Sequence, residues 1–358
     1  MSMLGQLKEI SVGTGGGDPA YRQPISESDL AIVEKVFAAL DKTRLRNFEP
    51  TAIPAIKLHL FNFFKNHPKP SEKELNKEIN KCQRWSEMEK EYSQEGNPLP
   101  TIGIEIEMKK SDLMPDKVAI LRKLSIPNYE EYTVANVWEV NPDFSYSSWI
   151  QTQMLRELVA MGALPLEETD DGRGKRIPAQ RMFPLHINLG WPITTYKISH
   201  CHNIETLSDT LNYAFTSTKR IRRLKVFPYN LKKSKKSSSG KNNGTFFRLE
   251  LKAPEFRDYP SYRMLAETQK IGAMLFSYIK KTENLPLSPA EKKLADLWFN
   301  FSDAVSEKFK EYGIEPGDLS KKPKEAIKIL ESNDLKQKSR EIFGRYARRV
   351  GEILKTSK

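Results

Sequence analysis

Cysteine is nearly absent: the chain of 358 residues holds two, Cys82 and Cys201. That is too few for a disulfide scaffold or a four-thiolate zinc site. Also missing is any run of the roughly 18–20 apolar residues that a membrane span needs. Residues 1–24 carry no apolar stretch of the kind a secretory signal uses, so a reducing cytoplasmic compartment is expected. Apolar content itself is not short. Hydrophobic residues make up 38% and aromatic residues 10%, which supports a sizeable core and excludes a disordered chain. The length fits one large domain with appendages, or two domains.

A net charge of +12 raises the question of a polyanionic partner. Its location answers more than its sum. Residues 219–241 hold ten Lys and Arg and no acid, while residues 321–358 hold twelve basic and five acidic residues. With these +10 and +7 set aside, the remainder carries −5. The basicity belongs to one segment and one tail, not to the body of the protein.

Residues 1–24, with three consecutive glycines from Gly15, read as a flexible leader. Ser26 and Asp29 mark a helix start, after which Leu30, Val33, Phe37 and Leu40 recur at helical spacing. Ile53, Ile56, Leu60 and Phe64 predict a second helix, stopped by Pro68 and Pro70, and residues 71–91 a third. This helical N-terminal region spans 25–98. From Pro98 the texture changes to strands at 101–108, 132–140, 182–189 and 245–252. Helices at 116–123, 147–161, 203–217 and 261–281 alternate with them. A C-terminal helical region follows over 283–358. The pattern predicts an α+β fold with a catalytic domain at 99–282 between flanking helices.

Polar residues alternate inside these apolar strands. In the run from Ile102 to Met108, a period of two puts Glu105 and Glu107 on one face. The same rule pairs His186 with Asn188, and aligns Arg248, Glu250 and Lys252. Glu139 sits between Trp138 and Val140. Taken singly, each is an ordinary amphipathic strand. Together, two Glu, a His, an Asn and an Arg-Glu-Lys run are an unusual solvent face. If the strands share a sheet, the carboxylates converge. At about 4 Å and an effective dielectric near 20, each like-charge pair costs about 4 kcal/mol. Such a cluster calls for bound cations or shifted protonation. Oxygen ligands with one imidazole suit Mg²⁺ or Mn²⁺, and neighbouring Arg and Lys suit a phosphate.

The order of motifs, G-x-E-x-E, a downstream Glu, H-x-N and R-x-E-x-K, resembles the carboxylate–amine ligase superfamily. Glutamine synthetase and glutamate–cysteine ligase belong to it, and the likeness is nearest to its amidoligase branch. It covers roughly residues 99–282. The resemblance implies a curved, mainly antiparallel sheet forming a funnel for ATP and Mg²⁺ or Mn²⁺. It implies that Glu105, Glu107, Glu139, His186 and Glu250 are metal ligands. Asn188 would face substrate or nucleotide, and Arg248 and Lys252 would contact phosphate or carboxylate. The family usually has Arg where Lys252 stands, and Lys supplies a point charge in place of a bidentate fork. Glu255, with Arg257, is a second match for the last strand. Glu250 is preferred because it lies within the apolar strand. The implied reaction activates a carboxylate as an acyl phosphate and joins it to an amine. A peptide or protein is among the candidate substrates.

Two alternatives are weighed against this ligase: an amide hydrolase using the same cluster, and a nucleic-acid-binding protein using 219–241. The second lacks interleaved aromatics for base stacking. Residues 231–244 read as a loop by composition, and 219–241 as either a solvated segment or a flap over the site. Residues 171–176 contain Gly and Lys but are too short for a P-loop and read as a turn. Adjacent His200, Cys201 and His202 diverge on a helix start and are a poor metal site.

Overall fold

The computed structural model describes residues 25–94, 96–109, 115–126, 129–130, 137–140, 144–162, 167–170, 176–179, 185–192, 246–252, 262–313 and 333–356. The leader, the helix expected at 203–217, the 171–175 turn and the His200–His202 run lie outside the described residues. So do the basic segment 219–241, the 231–244 loop and Glu255–Arg257.

Helix starts are set by local chemistry. α1 (Glu27–Ala39) begins where the Ser26 side chain accepts from the Asp29 N–H. After the short α2 (Lys42–Asn47), α3 (Ile53–Asn66) follows a 3₁₀ turn at Pro50–Ala52 and buries almost its whole length. α4 (Glu72–Tyr92) opens with a reciprocal capping box between Ser71 and Glu74. Next come β1 (Thr101–Lys109), α5 (Pro115–Lys123), β2 (Tyr129–Glu130), β3 (Val137–Val140) and α6 (Ser148–Ala160). β4 (Glu167–Asp170) and β5 (Arg176–Ala179) pair as a separate antiparallel ribbon, which the sequence pattern does not predict. β6 (Leu185–Pro192) and β7 (Phe246–Lys252) precede α7 (Tyr262–Thr282), α8 (Pro289–Lys310) and α9 (Asn333–Thr356). α8 repeats the capping box with Ser288 and Glu291.

The expected fold class needs correction. The structure is mainly helical, with nine α-helices among the described residues, and not an α+β fold organised by a curved sheet. Only a two-stranded antiparallel pair, β1 with β6, brings described sheet side chains into the core. No curved sheet or funnel is seen among the described residues. The physical reason lies in where apolar area is buried. The strands contribute Ile102, Ile104, Ile187 and Leu189, each fully buried. Helices supply most of the rest, from Val36 and Leu58 through Met274, Trp298 and Phe343 to Val350, in one continuous cluster. At about 1.5–3 kcal/mol per fully buried large apolar side chain, helix-on-helix packing dominates. Backbone pairing extends the β1–β6 pair to the order β2-β3-β1-β6-β7, antiparallel throughout.

Polar ties join the helical layers. His59 on α3 has Nδ1 2.8 Å from Glu157 of α6 and Nε2 2.8 Å from Glu78 of α4. Asn62 donates to both the backbone and the carboxylate of Glu157. Lys57 donates to the Leu124 carbonyl at the end of α5; burial brings its ammonium down to about 8.

Cys82 is fully buried on α4 among the same helices. Burial, with the nearby Glu78 charge, pushes its thiol up to about 12. At pH 8 only about one molecule in 10⁴ then carries the reactive thiolate. In a Cys201→Ser background, an aromatic disulfide reagent should leave Cys82 unmodified for as long as the protein stays folded. It should react fully in denaturant. Rapid labelling of the native protein would contradict this packing.

Candidate functional site

The period of two on β1 puts Thr101, Gly103, Glu105 and Glu107 on one face and Ile102, Ile104 and Ile106 on the other. Burial of Ile102 and Ile104 in the helical core assigns the inward face. Glu105 and Glu107 therefore hold register positions on the opposite face.

Antiparallel register carries that face across four strands. Glu107 pairs with Glu139 on β3. Glu105 pairs with His186 on β6, which pairs in turn with Lys252 on β7. Gly103 pairs with Asn188, and Asn188 with Glu250. Thr101 pairs with Gly190, and Gly190 with Arg248. Directly opposite residues share a face, with Cα atoms about 4.5–5.5 Å apart, and successive rows lie about 6.5–7 Å apart. All eight candidate residues thus fall on one face, in four consecutive rows. Their strand order is a fact of tertiary structure that the motifs alone leave open.

The Glu107–Glu139 pairing sets two carboxylate-bearing residues directly opposite, an arrangement that is destabilising by itself. Glu105 lies one row away beside His186, and Glu250 one row further on β7. Hard oxygen donors with a single imidazole are the donor set Mg²⁺ and Mn²⁺ prefer, so these residues fit a divalent ion. Among residues whose side chains are described, no group of three His, Cys, Asp or Glu side chains forms a metal site elsewhere.

One end of this face is bordered by the segment entering α6, which the sequence pattern does not single out. Ser145 exchanges two backbone hydrogen bonds of 2.8 Å with Ile102. The backbone N–H groups of Tyr146 and Ser147 both donate to the carboxylate of Glu89, which also accepts from Thr51 at 2.9 Å. Glu89 is 0% exposed. Burial raises its carboxyl above the ordinary range, partly offset by the hydrogen bonds from Ser147, Tyr146 and Thr51. Gln269 on α7 donates 2.7 Å bonds to the carbonyls of Tyr146 and Pro100, and accepts from Ser148. Gln151 donates to Ser145 at 2.8 Å. The backbone of 145–148 is therefore held from α4, α6, α7 and β1 together.

No family model, curated protein or solved structure matches the chain. The likeness to carboxylate–amine ligases consequently rests on the four strand motifs and their order. The described residues fix the backbone register of those motifs, while the signal for the Glu89 anchor lay only in tertiary structure. Gly103 and the alternating aromatics Phe144 and Tyr146 were visible as residues, but nothing in their spacing showed that they meet.

Proposed function

We propose that this protein is a divalent-metal- and ATP-dependent ligase that activates a carboxylate and joins it to an amine. The observation that supports this reading is the register. Glu105, Glu107, Glu139, His186 and Glu250 occupy neighbouring positions on one sheet face, with Arg248 and Lys252 on the same face. Those five would hold Mg²⁺ or Mn²⁺. A bound ion offsets the charge of the ATP phosphates as they meet an anionic substrate.

The chain's own residues then have separable tasks. Arg248 is placed to grip phosphate or carboxylate through two parallel donors, and Lys252 supplies a compact positive charge two residues away. Asn188 is placed between them in register and provides both a donor and an acceptor for nucleotide or substrate. In the reaction, an oxygen of the substrate carboxylate forms a bond to the γ-phosphorus as the bond to ADP breaks. The amine nitrogen next bonds to the acyl carbon, phosphate leaves, and the nitrogen loses a proton. No protein nucleophile is required. Positioning and charge stabilisation carry the rate. A cytoplasmic setting fits the scarcity of cysteine, and no helix among the described residues is long and apolar enough to cross a membrane.

ADP release in the presence of Mg²⁺, ATP and mixed carboxylate and amine pools tests the reading. Turnover should require both the divalent ion and an amine, and stop in EDTA. ADP formation that persists unchanged in EDTA removes the proposal. Amide cleavage without ATP consumption would instead select the hydrolase alternative.

A further inference from the structure

The rim of the same face carries an aromatic side chain with an unusual combination of exposure and rigidity. Phe144 is 38% exposed. Its neighbour Ser145 is paired to β1 on both sides of the peptide unit. Tyr146, two residues on, is fixed through its N–H by Glu89 and through its carbonyl by Gln269. The Phe144 and Tyr146 rings meet edge to face, with centroids 6.2 Å apart and planes at 86°. A mobile loop tip commonly exposes an aromatic ring; a backbone held from four elements rarely does so without using it.

Gly103 gives this ring its setting. A Cβ at Gly103 would lie 3.7 Å from the Phe144 Cα and 3.8 Å from the Cβ atoms of both Phe144 and Asn188. Phe144 and Asn188 thus flank Gly103 on the face that carries Glu105 and Glu107. The absence of a side chain there leaves a shallow notch beside the Phe144 ring. It lies in the row of Asn188 and Glu250 and one row from Glu105 and His186.

We infer that Phe144, with the notch at Gly103, is the subsite for the purine base of the nucleoside triphosphate. This deepens the proposed function and rests on it. The ring face offers stacking to a planar base, and the bare glycine lets the base edge approach the sheet. Asn188 stands on the far side of the notch, where an amide can read a purine edge. From there the ribose and phosphates run along β1 toward the rows of Glu105 and Glu107. Stacking of a base on an aromatic side chain contributes about 1–3 kcal/mol by alanine substitution, so truncation should weaken base binding by about tenfold or more.

Calorimetric titration with two probes separates the base subsite from the phosphate site: MgATP, which has a base, and magnesium tripolyphosphate, which has none. Phe144→Ala should weaken MgATP by about tenfold and leave tripolyphosphate unchanged, while Phe144→Trp should retain MgATP. Gly103→Val, whose Cβ fits at ordinary contact distance, should weaken MgATP in the same selective way by filling the notch. Equal affinity of wild type and both weakening variants for MgATP overturns the inference and leaves the ligase reading standing. Parallel losses for both probes overturn it too, because they indicate a structural role. A wild-type protein that binds neither probe removes the ligase reading and this subsite together.

Discussion

Glu89→Ala should destabilise the protein by about 3–5 kcal/mol, the cost expected when a buried hydrogen-bonded charge partner is removed. Three donors converge on this one carboxylate: the N–H groups of Tyr146 and Ser147 and the hydroxyl of Thr51. Deleting it leaves all three without that acceptor at the entrance to α6, and opens a cavity under α4. Glu89→Gln should cost less, because an amide keeps one acceptor oxygen but turns an NH₂ toward a donor. The pH dependence follows from the direction of the shift. Burial raises the folded-state carboxyl above its usual 4.5. Its contribution to stability is therefore greatest below that value and declines as pH rises through the raised folded value. The gap between wild type and Glu89→Ala, from urea unfolding, should narrow from acid toward neutral pH. Glu89→Gln, which does not titrate, should show no such component. If Glu89→Ala unfolds within 1 kcal/mol of wild type across that range, the anchor is not structural in the sense argued here.

What was legible in the sequence was local. Ser71 and Glu74 announce the start of α4, Ser26 and Asp29 that of α1, and the alternation around Glu105 announces β1. Each signal involves residues within one or two turns or one strand. The weight of the sheet in the fold was misjudged, because chemically conspicuous strands are not the ones that bury most area. The apolar stripes of α3, α7 and α8 do that, and they build a mainly helical protein. Glu89 was illegible for a related reason. It stands in the charged run Glu87-Met88-Glu89-Lys90-Glu91, where a solvated helix face is the natural reading. Its partners are Thr51 and residues 146–147, 38 and 57–58 positions away. Candidate residues on β1, β3, β6 and β7 could be named from their motifs, yet their pairing depended on a strand order that no motif contains.

That pairing makes a strong prediction about the site itself. In the absence of divalent ions, Glu107 and Glu139 stand directly opposite with like charges, a cross-strand arrangement that costs roughly 0.2–1 kcal/mol. Glu107→Gln should consequently melt at or slightly above the wild-type temperature in EDTA. With saturating Mg²⁺ or Mn²⁺ the order should reverse. An ion that binds only the folded protein at about 100 times its dissociation constant stabilises it by about 2.7 kcal/mol, and the variant lacks a ligand for it. Glu105→Gln should lose the same ion-induced increment, since Glu105 sits beside His186 one row away. In both variants amine-dependent ADP release should fall by a factor of about 10²–10³ or more, the scale on which removing one electrostatic partner of a developing charge acts. The two readouts test different links of the argument. Unchanged turnover in Glu105→Gln would overturn the ligase reading even if ion binding were lost. A wild-type protein whose melting temperature ignores Mg²⁺ and Mn²⁺ would show that the carboxylate rows share a face without sharing a cation.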